Sequence, residues 1–358
     1  QVKAQPAPVK AESPLSSFKS KSGADINLYG FVRGDANYII EGQDDDFNKV
    51  ASSDGKTKDK LRATAKTTRL GLDFNTNVGG DNKLGGKVEV DFAGSTTDSN
   101  GALRIRHAYL TYNNWLFGQT TSNFLSNHAP EMIDFATNVG GGTAARIPQV
   151  RYGFNLAPAT KLFISAEEGD SSGKNIKYSV PNLTAKLTQG FADGKGSVSA
   201  RALVENYKSA DDSDTAWGLA AGVNYQVMDP LKISADVSYV QGNSNYLYGS
   251  NTAFYVNPVN GNIEQNEAFG VQVGGTYKFN EKLRSTLAYG ALFADDGTDY
   301  ARLNTAANEE VYQAWINFIY SPVKPLDLGV EYINGKRDTF AGNSYKDNRV
   351  GLMAKYSF

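Results

Sequence analysis

Eight of the twelve arginines in the sequence, Arg33, Arg69, Arg104, Arg106, Arg151, Arg201, Arg284 and Arg349, fall on one parity of segments in which apolar and polar residues alternate. A guanidinium keeps its proton at ordinary pH, and its planar fork holds a carboxylate through two charge-assisted bonds. A wall of such forks would attract small anions, and a solute with two carboxylates would engage two forks at once. The same parity carries Asp35, Asp73, Glu89, Asp91, Glu205, Asp236 and Glu331. For any single arginine, a carboxylate ladder that merely stiffens the wall is therefore an equal reading. The crowding of Arg104, Arg106 and Arg151 on strands flanking a long polar segment favours a functional role, because a low-dielectric wall focuses its field into the space it encloses.

That segment, Ser122 to Ile147, is too long for a hairpin and contains Phe124, Pro130, Glu131, Asp134, Phe135 and Arg146. Loops of such length are functional or disordered. It is third among the long loops, and the expectation is that it folds into the space the strands enclose and narrows it. Glu131, Asp134 and Arg146 are the candidates for a constriction, with the two carboxylates facing the arginine wall across a gap. The competing reading leaves the loop lying over the mouth.

The elements that position these residues are strands. Val350, Leu352, Ala354, Tyr356 and Phe358 alternate with Arg349, Gly351, Met353, Lys355 and Ser357, giving one greasy and one wet face. The pattern recurs in Leu70-Leu72-Phe74, Leu219-Val223-Tyr225, Val271-Val273-Tyr277, Ile316-Phe318-Tyr320 and Leu328-Val330-Tyr332, and none of these apolar-parity positions is charged. Against lipid, an Arg or Lys near the midplane costs about 2–4 kcal/mol, so the absence of charge points to hydrocarbon outside. Tyr225, Phe279, Tyr320 and Phe358 lie beside one set of turns and Trp217, Tyr239, Phe293 and Tyr312 beside the other, as interfacial girdles would.

Short connections such as Gly79 to Asn82, Asn113-Asn114, Ala157-Pro158 and Met228 to Pro230 alternate with long polar ones at 41–66, 94–101, 122–147, 242–266, 294–308 and 336–346. Ile176, Tyr178 and Val180 also alternate, but both barrel ends must lie on one side, so 169–182 is assigned to an external loop. The expected fold is an all-β, up-and-down antiparallel transmembrane β-barrel of about 16 strands over residues 26–358, after a flexible periplasmic tail over 1–25. With 40% hydrophobic residues no apolar run suits a membrane helix, and net charge −2 with interleaved signs excludes a basic nucleic-acid binder. The absence of Cys fits folding outside the cytoplasm.

Leu103 to Leu110, Phe117 to Thr120, Ala129-Pro130-Glu131, Asp134-Phe135 and Pro148 to Tyr152 resemble the core stretch of DcaP-type dicarboxylate porins. The resemblance runs from about Ile26 to the C-terminus. It implies a homotrimeric outer-membrane channel of Gram-negative bacteria that passes dicarboxylates or other small anions, with outer-membrane lipids as its surroundings. Arg104, Arg106 and Arg151 match the family's basic positions most directly. Family members often carry a longer helical N-terminal extension; this chain has a Pro-containing tail there.

Other chemistry is weaker. A non-selective porin or a barrel hydrolase are the alternatives. His128 lies near Ser126 and Asp134 in sequence but without a serine motif, and His107 falls on the lipid parity, which requires a subunit contact or a local change of parity. Asp44-Asp45-Asp46 lacks the glycine and terminal glutamate of a calcium loop, and Gly140 to Gly142 follows no strand-to-helix junction. No cofactor and no metal are expected.

Overall fold

A computed structural model describes residues 17–95, 98–126, 128–135, 138–141, 145–169, 175–243 and 246–358. The wall begins with β1 (Asp25–Gly42) and β2, which runs as Thr57–Thr64 and Arg69–Asn77. It continues through β3 (Lys83–Asp91), β4 (Arg104–Tyr112), β5 (Trp115–Thr121), β6 (Arg146–Ala157), β7 (Thr160–Glu167) and β8 (Asn182–Phe191). The second half is β9 (Gly196–Lys208), β10 (Ser213–Met228), β11 (Leu231–Gln241), β12 (Glu267–Lys278) and β13 (Leu283–Ala294). It ends with β14 (Asn308–Val323), β15 (Leu326–Thr339) and β16, made of Ser344–Lys346 and Asn348–Ser357. Each strand pairs antiparallel with the next, and β1 pairs β16 from Phe31↔Ser357 to Glu41↔Asn348, so the sheet closes into a sixteen-stranded barrel.

The burial pattern inverts that of a soluble protein. Val32, Leu219, Leu287 and Leu352 on the apolar parity are 52–65% exposed, while Gln272, Gln313, Asn317 and Thr286 on the other are at most 2% exposed. Hydrocarbon can solvate the first set; the second is covered because loops enter the lumen. Seven short turns lie at one rim and, apart from four-residue connections such as 209–212, longer loops at the other, of which L1 (43–56), L3 (122–145) and L6 (242–266) reach inward. Phe124 and Val139 of L3, Val50 of L1 and Leu247 of L6 pack with the inward Leu203, Val240 and Val311.

Three local expectations change, and the assignment of 169–182 to a loop holds at 176–180. Thr57–Thr64, expected within a loop, extends β2 along Asp35–Gly42 of β1. Charge occurs on both of its faces, with Lys60 and Arg62 inward and Asp59 outward beside Tyr38, because this stretch stands above the apolar belt. Arg62, Arg146 and Arg337 accordingly lie on strands rather than in loops, and Arg302 sits on a short helix, Asp299–Leu303. Ser17–Lys19, within the expected tail, folds back as a strand against Asp25–Asn27, with Lys19 bridging Asp25 at 2.5 Å; residues 1–16 lie outside the described residues. The alternating stretch 176–180 belongs to the loop after β7: Lys177 makes a single bridge to Lys208, and Ile176 is buried beside Tyr207.

Candidate functional site in the barrel lumen

L3 enters the lumen along a track that the wall leaves vacant. Inward glycines lie on four strands of this arc. A Cβ at Gly274 of β12 would come within 2.6 Å of Pro130, at Gly290 of β13 within 2.1 Å of the Val139 carbonyl, and at Gly329 of β15 within 2.6 Å of Ile133; at Gly222 of β10 it would come within 2.5 Å of His128. No real Cβ tolerates the 2.1 Å backbone approach. Gly290→Val should therefore expel L3 from its seat. Cysteine labelling at Val139→Cys in the variant should go from protected to complete, and unchanged protection would rule the track out.

Polar anchors complete the seat. Glu331 accepts from the backbone N–H of Ile133 and of Asp134, each at 2.8 Å, and from Asn317 at 2.9 Å. Trp315 Nε1 and Asn317 Nδ2 donate to the Glu131 carbonyl at 3.0 and 3.1 Å, and Arg33 Nη2 donates to the Ile133 carbonyl. Met132 packs against Trp315, Ala288 and Ile333, and Ile133 packs against Ile319 and Met353. Trp315, Ile319, Ile333 and Met353 are apolar residues on the wet parity of adjacent strands. That anomaly is the sequence signal of a docked loop, and parity reading had passed over it.

The sequence-selected arginines separate into three groups. Arg33, Arg201 and Arg349 are 9%, 3% and 0% exposed and serve as loop anchors. Arg33 grips Asp35, while Arg201 holds Asp236 through two bonds of 2.9 Å and donates to the Phe124 carbonyl at 2.8 Å. Arg349 holds Asp347 at 3.0 Å and donates to the Gln43 and Asp45 carbonyls of L1, both at 3.0 Å. Arg284, on the far arc, binds Glu131 through Nε and Nη2 at 2.8 and 2.7 Å.

The third group crowds onto β2 to β6. Arg104 forks onto Asp91 at 3.0 and 2.7 Å; Arg106 bonds Glu89 at 2.8 Å and Asp91 at 3.2 Å; Arg69 Nε stands 3.8 Å from Glu89 with its guanidinium over the Phe31 ring. Arg146, at the start of β6, lies within electrostatic reach of Arg106, Arg104 and Arg69, and its side chain has no hydrogen bond or ion pair among the described residues. Arg151 is held by neutral acceptors only, Gln149 Oε1 at 3.0 Å, Ser165 Oγ at 3.2 Å and the Thr121 carbonyl. Lys186 of β8, missed by sequence reading, stands near Arg151 with no ion pair among the described residues.

A β-bulge builds this patch. Pairing of β3 with β4 slips between Glu89↔His107 and Val90↔Ile105, so Arg106 is the extra residue. Bulges re-aim side chains. Ile105 points outward, whereas Arg106 and His107 both turn in, with His107 Nδ1 2.9 Å from Thr120 Oγ1. The parity conflict at His107 is thus a local change of parity.

Among the described residues L3 meets this wall through an aromatic rather than through an ion pair. Phe135 lies 5.7 and 5.8 Å from the Arg104 and Arg106 guanidinium carbons and 5.9 Å from the Phe47 ring of L1. Glu131 faces Arg284 and Asp134 accepts from the Asn48 N–H of L1 at 2.9 Å, and among the described residues neither makes the expected ion pair with Arg104 or Arg106. Arg146 is the first residue of β6 rather than part of the loop.

L1 is fixed by charge. Asp44 is held below its ordinary 3.8 by hydrogen bonds from Lys60 and Arg62. Burial pushes the Asp46 carboxyl up, but Lys66, Ser99 and Arg62 outweigh it and bring it below the same ordinary value. A carboxyl whose pKa falls on docking contributes stability that is complete above its undocked pKa and is lost as pH falls through the docked value. Hydrogen exchange of residues 43–56, corrected for intrinsic pH dependence, should stay flat from pH 7 to 5 and accelerate only below pH 3.8. Acceleration already between pH 7 and 5 would contradict these anchors.

His128 makes no hydrolytic triad. Its Nε2 meets Ser199 Oγ at 2.8 Å, but Nδ1 has no partner among the described residues and Asp236 is committed to Arg201.

No curated protein sequence matches the chain. The structure aligns with the crystal structure of the outer membrane channel DcaP of Acinetobacter baumannii at TM-score 0.93 and 73% identity, covering 96% of this chain and 100% of that one. The trimer form of OmpT, an outer membrane protein of Vibrio cholerae, aligns at TM-score 0.62 and 16% identity over 94% and 99% of the two chains. An anion-selective porin from Comamonas acidovorans aligns at 0.63 and 12% identity over 94% and 100%. These two distant likenesses speak for the barrel fold. A profile of the DcaP outer membrane protein family matches residues 5–358. With its closed membrane-spanning barrel and inward-folded third loop, the chain belongs to the DcaP outer membrane protein family and is a channel of the outer membrane, not an enzyme.

Proposed function

We propose that this porin passes small anionic solutes, dicarboxylates favoured, by diffusion between L3 and a lumen wall lined by Arg69, Arg104, Arg106, Arg146 and Arg151. The observation that carries the reading is charge imbalance: Arg69, Arg104 and Arg106 share only Glu89 and Asp91, while Arg146 and Arg151 have no bonded carboxylate among the described residues. Paired guanidiniums contribute little net field, whereas unpaired ones in a low-dielectric enclosure raise the local anion concentration. Two forks within one patch suit a two-carboxylate solute, and the competing internal carboxylates keep each contact weak enough for release. The arginines buried in Asp35, Asp236 and Asp347 pairs are assigned to loop anchoring instead.

Replacing Arg146 and Arg151 together by Ala should lower the anion-to-cation permeability ratio at least threefold, read as a reversal potential across a planar bilayer with a KCl gradient. A cation-selective wild type, or a variant with unchanged selectivity, would reject the assignment. A homotrimer, which the family resemblance implies, is part of the proposal, and mass measurement of the detergent-extracted native complex tests it.

A further inference from the structure

A second cationic enclosure lies beneath L3 at the turn-side end of the lumen, away from the β2–β6 patch. It is a cavity of about 560 Å³ lined by Pro130, Glu131, Lys232, Thr276, Lys278 and Arg284, among others. Lys278 and Arg284 are directly opposite each other across β12 and β13, and Lys232 sits opposite Thr276 on the next strand pair. Like charges placed opposite each other on a sheet repel. Among the described residues neither lysine ammonium has an ion pair or hydrogen bond, so the enclosure holds three cations against one carboxylate, that of Glu131. The fork of Arg284 is filled by Glu131 through bonds of 2.8 and 2.7 Å, yet the two side chains remain 27% and 36% exposed, within reach of a solute.

We infer that this cavity is an exit-side binding site for a dicarboxylate, in which Glu131 occupies the place of one solute carboxylate and is displaced by it. The inference rests on the proposed function and deepens it. One solute carboxylate takes over the Nε and Nη2 bonds of Arg284, and the other lies between Lys232 and Lys278. The freed Glu131 carboxylate stays tethered beside the site and returns to the fork, which keeps occupancy brief. Wherever the solute first meets the barrel, this site is engaged from the turn side and the β2–β6 patch from the loop side.

Succinate is the probe, added to one side at a time of oriented channels in planar bilayers, with the half-blocking concentration as readout. Glu131→Gln removes the competing charge, keeps the backbone carbonyl that Trp315 and Asn317 hold, and should lower the turn-side concentration about fivefold relative to the loop-side one. Lys232→Gln/Lys278→Gln should raise that ratio about fivefold, and acetate should show neither effect. Equal changes from both sides, or none in the double lysine variant, would overturn the site. Failure of the selectivity reading appears separately, in wild-type reversal potentials and in the Arg146/Arg151 variant. Heat-modifiable migration identifies any variant that does not fold, and the lysine variant, which touches no L3 anchor, keeps the test decisive.

Discussion

Glu331→Ala should raise single-channel conductance severalfold by releasing L3 from the wall. The Glu331 carboxylate accepts two backbone N–H bonds from the loop and one from Asn317, all between 2.8 and 2.9 Å. Hydrogen bonds to a charged partner are worth about 1.5–3 kcal/mol each, and removing the acceptor leaves buried donors unsatisfied. The remaining anchors of this stretch are Trp315 and Asn317 on the Glu131 carbonyl, Arg33 on the Ile133 carbonyl, Arg284 on the Glu131 side chain, and Ile133 against Ile319 and Met353, and none of them accepts from the Ile133 or Asp134 amide. Glu331→Gln keeps one acceptor oxygen but turns an amide donor toward a backbone donor, so its conductance should fall between. A Glu331→Ala channel with wild-type conductance would mean that L3 is held elsewhere.

Arg349→Ala should be the most destabilising single truncation of an arginine in the wall. Both Arg349 and Asp347 are fully buried, and removing the cation leaves a buried carboxylate uncompensated, which costs about 3–5 kcal/mol. The substitution also removes the donors to the Gln43 and Asp45 carbonyls that pin the start of L1. Asp347→Asn/Arg349→Met, which removes both charges, should recover most of the loss, since a buried pair replaced by neutral groups of similar volume is often near neutral. Urea unfolding from lipid vesicles measures both. Equal losses in the two variants would assign the effect to packing and L1 contacts rather than to the stranded charge.

The barrel was legible because period-two patterning is enforced by lipid at every outward position: Leu219, Val273 and Leu352 had to be apolar, and their neighbours had to face the other way. The alternation of short turns with long loops then gave sixteen strands. Legibility failed where the enforcing solvent changes. Thr57–Thr64 rises above hydrocarbon, so charge on both faces hid a strand. At Arg106 one inserted residue reversed parity, and alternation alone cannot locate such an insertion. Partner choice was hidden as well. Glu131 could meet any of several cations, and only the path of L3 along the glycine track brings it to Arg284 instead of Arg104. The apolar Trp315, Ile319 and Met353 on the wet parity were the available clue to that path.

The seam between β1 and β16 has a consequence for biogenesis. Phe31 pairs with Ser357 and the Phe358 amide donates to the Gly30 carbonyl at 3.0 Å, so the first wall strand synthesised waits for the last before either gains its second neighbour. Until then two rows of open backbone donors and acceptors would face acyl chains, which cannot solvate them. Insertion must therefore follow, or coincide with, annealing of the two ends. A chain lacking β16 would keep the β1 edge open, a row of unpaired donors and acceptors that invites pairing with another chain.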